Sequence, residues 1–580
     1  MPPRPLRLFR SAADLLLPAC CLGLATLLAP CCCLAGGGPE NVLLVVNQNS
    51  SESLTVANYY TRLRQIPPQN VLYLDWQGDP AQISGHTFRD KILKPTLETI
   101  DRRKLSAQID YVVYSCDLPM RVNFQDFFPG EKFPKQMRPI ASITGATYLW
   151  QVVLQEEPTL MGLNTNWYVP DAGVQDLARC AEAANAPTQG FRGRYAWRRG
   201  GKREADPSKG PRYFLSCMLG VRHEMGNTVE EIAHCLITAT SADASRPRGT
   251  FYFARNKDVR STTRHKCFDA VAAALREDGA MAEVTTGMLP KAAQDVVGLT
   301  TGFRKQDVAG AGMRILPGAI CDNLTSFGGI TDKDLGQTLL TSFIRAGAAG
   351  ASGTVTEPLA IQAKFPLPTI HLHYFRGCSL AEAFYQSVAG PYQLLVVGDP
   401  LCQPWADPPD CDAFNLVDDK LVKGPLEIKP RLSSAAGLCE LYVDGRLQGA
   451  LPRGGKISLD STKLTDGSHE IRLVAVRNDP IETRGRFTVR VDVRNTAAEP
   501  IALSSTPERR VGVDQTLELR VDGDASRYVI QQNSRTIGQA QGTPAVLRIE
   551  AAELGQGPVA LAAEDPVSGR RSAPIWVWVE

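Results

Sequence analysis

From Asn41 to about Asp412 the chain alternates short β-branched runs with amphipathic stretches, and this alternation limits the fold more than any other feature. "NVLLVV" (41–46) is a buried-strand pattern. "SESLTVANYYTRLRQI" (51–66) follows as a helix, with Ser51 as a cap candidate and Leu54, Ala57, Tyr60 and Leu63 along one face. "NVLYLD" (70–75), "FRDKILKPTLETI" (88–100) and "IDYVVYS" (109–115) repeat the cycle. Strand–helix–strand units need long crossovers, which pair strands in parallel and lay helices on the faces of the sheet. The spacing predicts an α/β domain over 39–412 with a mostly parallel sheet flanked by helices, in two side-by-side halves meeting near residue 240.

The rhythm breaks at 117–212, an insertion with prolines, aromatics and the basic stretch "GFRGRYAWRRGGKREADPSKGPRY" (190–213). A solvated Gly-rich surface segment is the simpler reading of that stretch than a polyanion site. It resumes with "YFLSCML" (213–219), "TFYFAR" (250–255), "RILPGAI" (314–320), "GASGTV" (350–355) and "QLLVVGD" (393–399), with helical runs such as 265–277, 335–348 and 380–388 between them. Beyond Asp412 short alternating strands take over, with Asp444-Gly445 and Asp466-Gly467 at turns. A shift of 90 residues sets Ile457, Leu459, Leu464, Gly467 and Ile471 against Leu547, Ile549, Leu554, Gly557 and Leu561. Two tandem immunoglobulin-like β-sandwiches are predicted, over 413–496 and 497–580.

The first 35 residues place Arg4, Arg7 and Arg10 before an apolar stretch from Leu15 to Ala35, then small residues, which is the order of a secretory signal with Cys33-Leu34-Ala35 as cleavage site. The same stretch is long enough to serve as an uncleaved N-terminal anchor. The expected location is secreted or cell-envelope, at the periplasm or cell surface. No other apolar run reaches membrane length, so a multi-span membrane protein is not expected. With 63 Lys and Arg against 61 Asp and Glu, the net charge of +2 gives no general pull toward nucleic acid. Five of the fifteen cysteines fall in the leader. The rest form no C-x-x-C pair, so no metal site is expected, and Cys402 and Cys411, flanking a short Pro-rich loop, are the disulfide candidates.

Ligands of open parallel sheets bind beyond the carboxyl ends of the strands. Residues in such places are Asn47, Asn49 and Ser50, Cys116 and Asp117, Asp322, Asn323, Thr325 and Ser326, Thr354 and Glu357, and Asp399. Asp322, Glu357 and Asp399 would make a cleft if they shared one sheet edge, although each alone reads first as a turn-holder. Cys321 and Cys116 are the weak candidates for a nucleophile, because no His-Gly pair follows a strand to supply an imidazole. His371 and His373, alternating in "TIHLHYF", read as packing residues. No G-x-G-x-x-G after a strand, P-loop or G-x-S-x-G is present, and no cofactor is implied.

The blocks "NVLLVVNQNSSESLTVANYYTRLRQIPPQNVLYLD", "IDYVVYSCDLPMRV", "LPGAICDNLTSFGG", "RAGAAGASGTVTEPLAIQAKFPLPTI" and "GDPLCQPW" resemble an uncharacterised family of exported bacterial proteins that often carry envelope-sorting signals. That domain in turn is distantly similar to the gingipain-type peptidases, which implies a caspase-like α/β fold with an immunoglobulin-like domain behind it and a closing Gly-Asp-Pro, here Gly398-Asp399-Pro400. The peptidases' His-Gly and Cys do not carry over onto "ICDNLTSFGG" and "ASGTVTEP". In the closer family the position of Cys321 is commonly Ala and that of Asn323 commonly His, so this chain lacks an imidazole there and gains a thiol. Three functions are consistent with this: an exported protein with a peptidase-like domain and no recognisable Cys–His dyad, a gingipain-like cysteine peptidase, and an envelope binding or scaffold protein whose sandwiches grip a surface partner.

Overall fold

Ten strands form one sheet in the α/β domain, and its order explains why the sequence alternates as it does. The computed structural model describes residues 36–170, 184–185, 187–542 and 544–580. The strands are β1 (Val42–Asn47), β2 (Val71–Leu74), β3 (Tyr111–Tyr114), β4 (Leu215–Met218), β5 (Thr250–Arg255), β6 (Met281–Thr286), β7 (Val296–Gly302), β8 (Ile315–Leu324), β9 (Gly350–Thr354) and β10 (Leu394–Gly398). Their order across the sheet is β6-β5-β7-β8-β9-β10-β4-β3-β1-β2. In the first half the chain steps outward from β1 to β2, then returns to the other side of β1 for β3 and β4. The second half repeats this with β5 to β6, then β7, β8 and β9. β10 returns from the far end of the domain and fills the seam.

That seam decides where ligands can sit. β8 and β9 pair in parallel, as do β10 and β4, but β9 and β10 are antiparallel, with Gly350 opposite Gly398 and Thr354 opposite Leu394. The two halves therefore run in opposite directions, and their carboxyl ends lie on opposite edges of the sheet. The expectation of a mostly parallel sheet in two halves describes the ladders, but one shared carboxyl edge does not exist.

Helix α1 (Ser51–Arg64) crosses from β1 to β2, capped by Ser50 Oγ on the N–H of Ser53. Leu54, Ala57 and Tyr60 are buried along its inner face, as the 3.6-residue spacing requires. Its outer face is also covered. Asn58 Nδ2 donates to the carbonyls of Leu554 (2.9 Å) and Gln556 (3.0 Å), Gln556 N–H donates to Thr55 Oγ1 (2.9 Å), and the Arg62 guanidinium lies 4.5 Å from the Trp576 ring. Residues 55, 58 and 62 fall on one stripe, so α1 binds the last β-domain with the side that faces away from the sheet.

The two C-terminal β-domains repeat one hairpin. The first domain contains β11 (Ala436–Val443), β12 (Arg446–Pro452), β13 (Gly467–Arg477) and β14 (Arg484–Val493), and the second contains β15 (Arg527–Gln532) and β16 (Arg535–Gly542). The hairpins turn at Asp444 (φ 49°) and Asn533 (φ 50°), left-handed positions that Asp and Asn tolerate. Both tips touch the α/β domain. Gln108 brackets the first, donating to Gly445 O (2.7 Å) and accepting from Leu447 N–H (2.9 Å), while Ser534 Oγ of the second donates to Val71 O (2.5 Å).

The basic stretch 190–213 is solvated only in part. Phe191 and Trp197 are fully buried, and Arg192 reaches Asp110 (3.4 Å) on one side and Glu482 (2.6 Å) of the first β-domain on the other. Arg192 is therefore spent inside the molecule, whereas Arg194, Arg198, Arg199, Lys202 and Lys209 are exposed, as a solvated segment requires. A buried arginine is tolerated when its carboxylates are present, and for Arg192 they are.

Glu40, in the turn that leads into β1, is the most buried of these ion-paired groups. It is fully buried against three arginines of the first β-domain: Arg486 Nε and Nη2 donate to its two oxygens at 2.9 and 2.8 Å, and Arg472 and Arg484 each lie 3.4 Å away. Burial by itself raises the pKa of Glu40, but Arg486, Arg484 and Arg472 together hold the carboxyl well below the ordinary carboxylate range. Glu482, held by Arg192 and Arg203 against the same burial effect, titrates at about 2 rather than 4.5. Among the described residues no helix is long and apolar enough to cross a membrane.

Two outcomes are expected. Glu40→Gln leaves three buried guanidinium groups short of charge and should cost on the order of 3–5 kcal/mol of stability in denaturant unfolding. Since the folded-state pKa values of Glu40 and Glu482 are depressed, their stabilisation is complete above about pH 4.5 and is lost as the pH falls toward 2. Unfolding midpoints across that window should fall less steeply in Glu40→Gln than in the wild type.

Candidate functional site

β1 and β3 are the strands at which the first half of the sheet reverses its winding, and loops beyond such a switch point diverge to leave a crevice. After β1, Asn47 Nδ2 donates to the carbonyl of Asp117 (2.9 Å), and its Oδ1 accepts from Asn49 N–H (3.0 Å). After β3, Asp117 adopts φ 54° and its carboxylate accepts from Ser50 Oγ at 2.6 Å. After β4, Arg222 donates to Asp117 (2.7 Å) and pairs with Glu52 (3.1 Å). Asn47, Ser50 and Asp117, all strand-end residues in the sequence, therefore meet.

A cleft of about 890 Å³ opens over this network. Its walls are the first turn of α1, the loop 222–228, the first turn of α2 (Val229–Ala242) and, from the second β-domain, Val513, Ala552, Gly555 and Gln556. Four carboxylates reach it, from Glu52, Asp117, Glu224 and Glu230, against the guanidinium groups of Arg222 and Arg345. Arg222 is held by Asp117 and Glu52, and Arg345 by Glu231 at 2.7 Å. Glu224 and Glu230 are exposed and enter no ion pair among the described residues. His223 is half-buried, and burial lowers its pKa despite the nearby Asp332, so the imidazole is neutral at pH 7.

The residues of the second half are engaged in the fold. Asp322 is buried against Arg264 (2.7 Å) and accepts Ser352 Oγ at 2.5 Å. Asn323 brackets Phe303, accepting its N–H (3.0 Å) and donating to its carbonyl (3.2 Å). Thr325 donates to Gln337 Oε1 (2.5 Å), and the carbonyls of Thr325 and Ser326 accept from Thr354 Oγ1 at 3.1 and 3.0 Å. Glu357 accepts Leu359 N–H at 2.9 Å, the turn-holding role.

Asp399 is buried with Arg64, which donates to it from Nε at 2.8 Å and from Nη2 at 2.5 Å. The convergence of Asp322, Glu357 and Asp399 is thus corrected. Asp399 follows β10 at the Gly350 end of β9, whereas Glu357 lies beyond the Thr354 end, so they are separated by the length of a strand.

Neither thiol candidate meets the needs of a nucleophile. Cys321 and Cys116 are fully buried, and burial pushes both thiol pKa values up, with Asp322 and Asp117 respectively adding to it. No hydrogen bond joins a cysteine to a histidine among the described residues. The buried His371 and His373 bond instead to Thr300 (2.9 Å) and Thr188 (2.8 Å), and burial takes each to about 3, leaving them neutral. The disulfide expectation is corrected too. Cys402 is a free thiol in the core of the α/β domain, donating to Ala239 O, whereas the Cys411 sulfur faces Leu473 O in the core of the first β-domain. The chain between them passes from one core to the other. Cys267 is disulfide-bonded. Among the described residues no group of His, Cys, Asp and Glu is arranged to hold a metal.

No family model and no curated protein matches the chain. Solved structures do. The complex of Porphyromonas gingivalis RgpB pro- and mature domains is similar at 9% identity, over 78% of this chain and 100% of that one, with a TM-score of 0.39. The Arg-specific cysteine proteinase gingipain R is similar at 10% identity, over 78% of this chain and 98% of that one, with a TM-score of 0.37. The fibronectin(III)-like modules of Clostridium thermocellum CbhA are similar at 17% identity, over 29% and 92% of the two chains, with a TM-score of 0.14.

Arg222, Glu52, His223, Glu230 and Arg345 are absent from the sequence-derived set. Arg222 and His223 follow the strand "YFLSCML", so the same strand-end rule would have found them. Glu52 and Glu230 sit in first turns of helices, where acidic residues ordinarily serve the helix itself and carry no signal of a site.

Burial makes a direct expectation about the thiols. In the native protein Cys116 and Cys321 should react with a thiol-directed reagent about a hundredfold or more slowly than after denaturation, read by mass spectrometry of the labelled peptides. Native-state labelling of either at the rate of a free cysteine would contradict the buried placement.

Proposed function

We propose that the protein is an exported, envelope-associated binding protein. Its gingipain-like α/β domain does not use a thiol nucleophile, and its immunoglobulin-like C-terminal sandwiches form part of the ligand site as well as a platform for a surface partner. The observation that carries this is the cleft at the β1–β3 switch point, closed on one side by the second β-domain and lined by preformed, mutually held polar groups. Sites held this way lose little entropy on binding. A cavity of several hundred Å³ with a few convergent polar groups is the usual dimension of a small-molecule site. The excess of carboxylates, with Glu224 and Glu230 unpaired, favours a polar ligand bearing a cationic group. The leader and the disulfide at Cys267 support export.

The gingipain-like peptidase alternative requires a thiolate and an imidazole in reach of one another. Cys321 and Cys116 offer neither.

A thermal-shift screen of the purified protein against small amines, guanidines, dipeptides and amino sugars tests the reading. A compound that raises the unfolding temperature should bind about tenfold or more weakly to Glu230→Gln, since a hydrogen-bonded charge pair contributes about 1.5–3 kcal/mol. A screen without a stabilising compound, or one whose hits are indifferent to both Glu230→Gln and Glu224→Gln, would remove the cleft from consideration.

A further inference from the structure

A buried carboxylate without a counter-ion lies beside the first described residues. Glu382 in α3 (Leu380–Tyr385) is fully buried. Its two oxygens accept the backbone N–H groups of Phe191 and Ser379, each at 2.8 Å, and it forms no ion pair among the described residues. Burial raises its pKa, and those hydrogen bonds with the field of Arg192 offset only part of the effect. An uncompensated carboxylate in such a place is costly to the fold.

What stands against it is Gly36. A Cβ at this residue would lie 2.0 Å from Glu382 Oε1 and 2.4 Å from Oε2, and φ is +55°. The Gly36 nitrogen is two bonds from that Cβ position, hence within about 4.5 Å of Oε1. The next glycines are equally confined: a Cβ on Gly37 would meet the Tyr111 ring at 2.3 Å, and one on Gly38 would meet the Arg486 guanidinium. Every residue from Gly36 to Glu40 is buried, and Arg192 Nη1 donates to the Gly36 carbonyl at 2.5 Å. Gly36 to Gly38 thus run through a slot that admits backbone alone, with Glu382 beside Gly36 and the Glu40 clamp two residues beyond Gly38. The expected signal cleavage falls between Ala35 and Gly36, where the described residues begin; residues 1–35 lie outside them.

We propose that cleavage after Ala35 matures the fold, because the Gly36 ammonium it creates forms a buried ion pair with Glu382. Water adds across the Ala35–Gly36 amide under an export-linked endopeptidase. The carbon–nitrogen bond breaks, the water oxygen stays with Ala35 as its carboxylate, and the released amine carries the proton. The new charge supplies the counter-ion that Glu382 lacks, and the pair fixes the strand-entry segment that carries Glu40. This rests on the export reading.

Mass spectrometry of the exported protein and a double-mutant cycle test it together. The mature chain should begin at Gly36. A chain cut from a removable tag to start at Gly36 is then compared with the same chain Nα-acetylated, each with and without Glu382→Gln. Acetylation should lower the unfolding midpoint by about 2 °C or more with Glu382 present and change nothing in Glu382→Gln. As a check independent of that variant's folding, the Gly36 amine should titrate above the ordinary range of about 7.7–8.0 in the wild type. Acetylation that costs nothing, or costs the same in both backgrounds, overturns the ion pair, as does an amine with an ordinary pKa. An exported chain that begins elsewhere than at Gly36 also overturns it. A chain retained in the cytoplasm with its leader defeats the export reading as well, whereas a Gly36 start without coupling defeats the ion pair alone.

Discussion

Glu40 is where three parts of this molecule are tied together. Its backbone leads into β1, its carboxylate is closed in by Arg472, Arg484 and Arg486 of the first β-domain, and the buried glycines before it thread between the two domains. Burying one carboxylate among three guanidinium groups leaves excess positive charge, which Glu470 and Glu440 neutralise by pairing with Arg472 (3.0 Å) and Arg484 (2.7 Å). Such a network stabilises only when every member is present, and then it fixes one geometry sharply. Charge placement therefore helps to set the domain junction.

From that fixed junction the cleft follows. The first β-domain is held at Glu40, the second is laid along the outer stripe of α1, and its residues 552–556 form the roof over the carboxyl ends of β1, β3 and β4. The site is built between domains rather than within one. Its chemistry is ionic and hydrogen-bonding, and the thiols are spent in cores, where desolvation keeps them protonated. The same economy applies on the opposite edge, where Asn323 and Thr354 hold the loops after β7 and β8 in place and Asp322 is tied to Arg264 and Ser352.

Much of this was legible in the sequence. The strand and helix runs of the α/β domain, the change of grammar after Asp412 and the 90-residue repeat all follow from local periodicity, and so does the hairpin turn at Asp444. What local pattern does not contain is direction. β10 is an apolar run like any other, and nothing in "QLLVVGD" says that it enters the sheet antiparallel to "GASGT"; that orientation put Asp399 and Glu357 on opposite edges. Partners distant in sequence were hidden for the same reason. Asn58 in the middle of a helix, Glu40 before a strand and Arg192 in a Gly-rich stretch all look like surface residues until the domain that covers them is in place. The strand-end rule did locate Asn47, Ser50 and Asp117, because it depends on winding and not on long-range pairing.

The central claim is that charge-clamped junctions make the α/β domain and both β-domains one cooperative structure with a preformed cleft. Scanning calorimetry of the purified protein at neutral pH measures this directly. A single transition, with calorimetric and van't Hoff enthalpies in agreement, is the expected result. Separate transitions for the α/β domain and the β-domains in the wild type would contradict it.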